Sequence, residues 1–207
     1  MIHHILSRTL PLLIICMLAA ACPLAGAEKK HHILIINSYN RGFPWTDSIV
    51  DSIEKQLTES GLGVELHIEY MDTKRYSGRD YFELLYRQYM YKYSSAKMDC
   101  IIATDDDALN LLEKYHHSLF PETPVVFCAI NDLGVPARIN RKIYTGIMEE
   151  LSPAKTIDLM LKLHPGTKKI YVICDHTTTG KARIDSMKSI IPLYGKIDFT
   201  FSGDEPL

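Results

Sequence analysis

Short polar side chains recur in this sequence directly after runs of Ile and Val. They are Asn37-Ser38-Tyr39-Asn40, Thr104-Asp105-Asp106-Asp107, Asn131-Asp132, and Asp175-His176 followed by Thr177-Thr178-Thr179. Carboxylates, carboxamides and hydroxyls of this kind can hydrogen-bond a polar solute, and the one tryptophan, Trp45, adds a flat apolar wall beside the first cluster. The chemistry is that of gripping a small molecule. The candidate ligand contacts are Ser38, Tyr39, Trp45, Asp105, Asp106, Asn131, Asp132, Asp175, Thr177 and Thr178. The same residue types also cap helices where a strand turns into a helix, so each position carries a structural reading beside the functional one.

Catalysis is the weaker class. Asp105–Asp107 or His176 could act as a general base in an exported α/β enzyme, but no nucleophile, base and orienting group can be assembled from the sequence, so no catalytic residue is assigned. The phosphate-loop, dinucleotide and nucleophile-elbow glycine patterns are absent, and no cofactor is expected. The pairs His31-His32 and His116-His117 are adjacent in sequence, which sends their side chains apart, so no metal site is expected either.

The elements that must position these residues follow from periodicity. Apolar runs "HILIINS", "VELHIEYM", "DCIIAT", "PVVFCAI", "YTGIME", "KKIYVICD" and "KIDFTFS" predict strands, several too uniformly apolar for a sheet with one wet face. Segments of helical period lie between them. Ile49, Val50, Ile53 and Leu57 share one face, and Phe82, Leu85, Tyr86, Tyr89 and Tyr93 another. Asp105 or Asp106 is the expected N-cap of the helix that follows, and Ser152-Pro153 that of a further one. The fold class is α/β, a parallel sheet with helices on both faces, and ligands in such sheets sit beyond the carboxyl ends of the strands.

Composition sets the outer bounds. At 46% hydrophobic and 23% charged the chain is that of a folded globular protein, and its net charge of −2 gives nucleic acid nothing to seek. His3, His4 and Arg8 precede "LPLLIICMLAAACPLAG", and Ala25-Gly26-Ala27 follows a small-residue cleavage pattern. Residues 1–27 read as a signal peptide and the protein as periplasmic; lipidation at Cys22 in "LAAAC" is the lesser alternative. Cys100, Cys128 and Cys174 read as core thiols, not as a disulfide frame.

The ordered blocks "ILIINSYNRGFPWTDSIVDSIE", "EYMDTKR", "IIATDDDALNLL", "LFPETPVVFCAIND", "YTGIMEE" and "TIDLMLKLHP", between Ile33 and His164, resemble the ABC-transporter substrate-binding-like family. More narrowly, they resemble the periplasmic sensor regions ahead of bacterial histidine kinases and diguanylate cyclases. The resemblance implies a type I periplasmic-binding-protein fold, two α/β lobes that close like a clamp on a small-molecule ligand. The implied partner is an ABC permease or a membrane-bound kinase or cyclase. It divides the chain into a first lobe with crossing strand at 28–150 and a second at 151–207. The second is shorter than the roughly 100 residues a lobe of its own core needs. A truncated second lobe with open strand edges is therefore expected.

Overall fold

The computed structural model describes residues 30–202. The expected signal peptide, with Cys16 and Cys22, lies outside the described residues. Among the described residues no helix is long and apolar enough to cross a membrane.

Every apolar run named above contains a strand. In chain order the elements are β1 His31–Asn37, α1 Pro44–Glu59, β2 Val64–Tyr70, α2 Arg79–Tyr93, β3 Cys100–Thr104, α3 Asp105–Leu119, β4 Val125–Ile130, the single turn α4 Val135–Arg138, β5 Tyr144–Met148, α5 Pro153–Leu163, β6 Lys169–Val172, α6 Thr178–Ile190, a 3₁₀ turn Ile191–Tyr194, and β7 Asp198–Phe201. Helix α6 is the one long element that the periodicity does not announce. Its opening run of threonines has poor helix propensity and reads as loop until Thr177 is seen to cap it, accepting the Gly180 N–H at 3.1 Å.

Strands β1 to β5 form an all-parallel sheet in the order β2-β1-β3-β4-β5. The chain leaves β1 toward β2, then returns across it to β3. Right-handed crossovers then place α1 on one face and α2 and α3 on the other. The expected double covering is present. Leu34 and Ile36 of β1 meet Leu85 and Tyr89 of α2 and Leu109 and Leu112 of α3 in one continuous core, where Tyr86 and Tyr115 stack at 4.4 Å between the two helices. A fully buried Leu is worth about 1.5–3 kcal/mol, so this face carries most of the apolar stabilisation. The opposite face is thinner: α1 buries only Thr46 and Val50.

One irregularity matters for the site. The β4–β5 pairing shifts register between Phe127 and Ile130, and Ala129 takes a left-handed φ of 59°. The step from Phe127 to Ile130 spans an odd number of residues, which in a regular strand would put them on opposite faces. The bulge lets both enter the core and turns Asn131 toward the carboxyl edge of the sheet.

The last third is different in kind. Strands β6 and β7 make a separate two-stranded parallel sheet, so each has a partner on one side only. In α5 only Ile157 is buried and in α6 only Gly180, whereas Leu159, Leu163, Tyr171, Ile173 and Leu193 are exposed. Cys100, Cys128 and Cys174 carry free thiols, half-buried rather than sealed in the core.

Candidate functional site

The strand order reverses between β1 and β3, and a cleft of about 420 Å³ opens beside their carboxyl ends. That volume falls within the roughly 300–1,000 Å³ of small-molecule sites. Its floor is Asp105 after β3 and Asn131 after β4, and its aromatic wall is Tyr39, Phe43 and Trp45. Facing them are Glu149 after β5 and the segment from Ile173 to Arg183.

Helix α1 begins at Pro44, which brings Trp45 into its first turn and not into the preceding loop. The Trp45 indole Nε1–H donates to Asp105 Oδ1 at 3.1 Å, fixing the ring as a half-exposed panel. Tyr39 meets Phe43 edge to face at 5.4 Å, and Lys74 Nζ lies 4.6 Å from the Tyr39 ring centre. Lys74, from the "MDTKR" stretch after β2, also pairs with Asp175 at 3.3 Å. Arg183 of α6 pairs with Glu149 at 3.5 Å. Both cations of the cleft are thus already matched by carboxylates.

Two acceptors are not. Asp105 Oδ2 and Asn131 Oδ1 are buried without a hydrogen-bond partner. Burial pushes the Asp105 carboxyl up to about 7, against the Trp45 hydrogen bond, with Asp106 and Glu149 adding to the rise. Asp105 also sits at φ 66°, so Asp105 at the cleft floor and Ala129, two residues before Asn131, both hold left-handed backbone that costs roughly 1–3 kcal/mol apiece. Burial and the neighbouring Asp105 likewise raise Tyr39 well above the usual phenol range, keeping its hydroxyl neutral.

The remaining candidates serve the frame. Ser38 is fully buried. Its hydroxyl donates to the Thr104 carbonyl at 2.8 Å and accepts the Ala108 N–H at 2.8 Å. Ser38 therefore caps α3 from another strand. This corrects the expectation that Asp105 or Asp106 would be the N-cap: that position is Thr104, whose side chain makes no cap bond. Ser152 is the N-cap of α5 as expected, but again without a side-chain cap bond. Asp106 Oδ1 accepts the backbone N–H groups of Asn131 and Asp132, both at 3.0 Å, tying the β4 turn to α3. Asp132 accepts from Arg138 at 2.7 Å and from the Gly134 N–H at 2.8 Å; these bonds hold it below the usual carboxylate range although its partial burial acts the other way.

A row of hydroxyls closes the far side. Thr178 donates to Asp107 at 2.7 Å, Thr179 to Asp106 at 3.4 Å, and the Tyr39 hydroxyl lies 2.6 Å from that of Thr179. Thr177 binds Asp175 at 2.5 Å, and Lys74 with Thr177 holds Asp175 low despite its desolvation. Gly180 has no room for a side chain, because a Cβ there would overlap Asp175.

Of the sequence candidates, Tyr39, Trp45, Asp105, Asn131, Asp175 and Thr177 line the cleft. Ser38, Asp106, Asp132 and Thr178 do not line it, and His176 is exposed outside it. Sequence reasoning missed Phe43, Lys74, Glu149 and Arg183. Lys74 and Glu149 follow strand ends and were findable by the rule that found the others, whereas Arg183 needed α6.

No family model and no curated protein matches the chain. Its fold is similar to two crystal structures. One is the ABC domain in complex with L-Trp from Streptococcus pneumonia, with TM-score 0.62 and 17% identity, covering 84% of this chain and 57% of that one. The other is a conserved domain protein from Vibrio cholerae O1 biovar eltor, with TM-score 0.63 and 15% identity over the same shares. The chain thus shares the α/β fold of these structures and spans about 57% of their length.

Proposed function

We propose that this chain is a non-catalytic binding module that takes a small molecule bearing an N–H donor, ideally a cationic amine, on a flat apolar body. The observation that carries this reading is the pair of buried, unpartnered acceptors, Asp105 Oδ2 and Asn131 Oδ1, beneath the Tyr39–Phe43–Trp45 wall. A buried polar atom without a partner costs about 1–3 kcal/mol, and a ligand donor recovers it. An ammonium also meets aromatic faces favourably. The L-Trp complex of the Streptococcus structure supports a solute of this size and shape for the fold.

Export through residues 1–27 and action in the periplasm belong to the same proposal. So does the partner, an ABC permease in transport or a membrane-bound kinase or cyclase in sensing. The threonine row against Asp106 and Asp107 is then the contact that ligand-driven closure consolidates.

The chain's single tryptophan gives the test. Titration of the full chain with aromatic amino acids, aromatic amines and purines should change Trp45 fluorescence saturably for the amine-bearing set and raise the melting temperature. Asp105→Asn should weaken that binding at least about tenfold, the loss of one charge-assisted bond. Indifference of both signals to every amine would defeat the proposal.

A second reading rests on Asp105 alone. A carboxyl pushed up to about 7 is poised as a general base, which suits an exported α/β enzyme. Appearance of product from a bound ligand, lost in Asp105→Asn, would select that reading over simple binding.

A further inference from the structure

At the end of the sheet remote from the cleft, three metal-binding side chains meet: His32 of β1 and Glu65 and His67 of β2. Neither His pair of the sequence is involved as a pair. His31 and His32 point to opposite faces, whereas strand pairing sets His32 beside Glu65, and alternation puts His67 on the same face two residues on. The three donor atoms lie within 4.8 Å of one another.

The distances discriminate between a hydrogen-bonded His pair and a metal bite. His32 Nδ1 and His67 Nε2 are 3.4 Å apart, beyond the roughly 2.7–3.2 Å of a well-formed N–H bond. Two imidazole nitrogens bound to one tetrahedral zinc, each at about 2.0–2.1 Å, stand about 3.3–3.4 Å apart. Glu65 Oε1 is 4.0 Å from His67 Nε2, and its side chain is 45% exposed, so a rotation brings it to the third vertex. The His67 ring is braced edge-on against Tyr93 at 6.3 Å. Glu69, next on the same face, is engaged by Lys92 and Tyr93 and supplies no ligand.

We propose that His32, Glu65 and His67 bind a borderline divalent cation of the zinc class, with water completing the shell. Two imidazoles and one carboxylate favour zinc, nickel or copper over calcium or magnesium. His32 and the cleft edge at Asn37 lie at opposite ends of β1, about 17 Å apart at the rise of a strand. The ion therefore does not touch the cleft ligand; it staples the edge strand β2 to β1.

The test uses the untagged full chain, stripped with chelator, and zinc or cobalt alone. Calorimetry should give one zinc per chain with micromolar or tighter affinity, and the melting temperature should rise with zinc concentration. Cobalt should show the absorption of a four-coordinate site with nitrogen and oxygen donors. His67→Gln should weaken zinc binding by more than the roughly 10–100-fold that loss of an outer-shell partner costs. Glu65→Gln, on a half-exposed side chain, should weaken it about tenfold with the metal-free melting temperature unchanged, which keeps the test decisive if His67→Gln fails to fold. No binding at 100-fold excess over protein, or binding that both variants leave intact, overturns the proposal.

Discussion

The five-stranded sheet and the two-stranded sheet are built from similar apolar runs yet are held by different forces. In the first, Leu34, Ile101, Leu111 and Leu112 are sealed between sheet and helices. In the second, Tyr171, Ile173 and Leu193 face outward, and its firmest ties to the first are polar: Thr178 to Asp107, Tyr39 to Thr179, Lys74 to Asp175 and Arg183 to Glu149. Apolar burial fixes one region; exchangeable hydrogen bonds and ion pairs join the other to it. The cleft lies at this junction, with one wall held by apolar burial and the other by polar ties.

The comparison breaks most visibly in the core. Leu112→Ala should cost about 2–5 kcal/mol in denaturant unfolding, because α3 leaves a cavity that cannot collapse. Next comes Asp105, at the junction itself. Its proton affinity is higher in the folded chain than the ordinary 3.8, so between about pH 4 and pH 7 the native state holds more protons than the unfolded one. Stability therefore falls as pH rises through that window. Asp105→Asn, which can still accept from Trp45, should leave stability unchanged near pH 4 and raise it by about 2–4 kcal/mol at pH 8, measured by thermal melts across pH. A gain of the same size at both pH values would contradict the buried-charge account.

Ser38→Ala strands the Ala108 N–H in the interior and should cost about 1–3 kcal/mol, with a lower midpoint in urea and an unchanged slope. Thr178→Val should cost only about 0.5–1.5 kcal/mol, and hydrogen exchange should quicken in α6 but not in α3. Equal acceleration in both helices would mean that the two regions unfold as one. Leu159→Ala, at a 58% exposed position, sharpens the contrast from the other side: a change within about 0.5 kcal/mol is expected.

What could be read in the sequence follows the same division. Uniform apolar runs such as "ILIIN" and "VVFCAI" signal burial on both faces without reference to any partner, and the polar residues behind them follow from where parallel strands end. Ser38 was visible as polar, but its task was not, since capping α3 from β1 depends on two strands lying side by side. Arg183 stayed hidden because the threonines opening α6 mask a helix. His32 and His67 lie far apart in sequence and meet only through β1–β2 register. Local pattern announces elements; long-range pairing decides which side chains become neighbours.

The bulge at Ala129 sets the parity of everything downstream in its strand. Removing a single codon there would leave Phe127 and Ile130 two positions apart, so that a regular pleat would keep both in the interior without any left-handed residue. One extra residue of chain length and the left-handed backbone at Ala129 thus cancel in their effect on which way Asn131 faces, and a lineage could lose both in a single deletion.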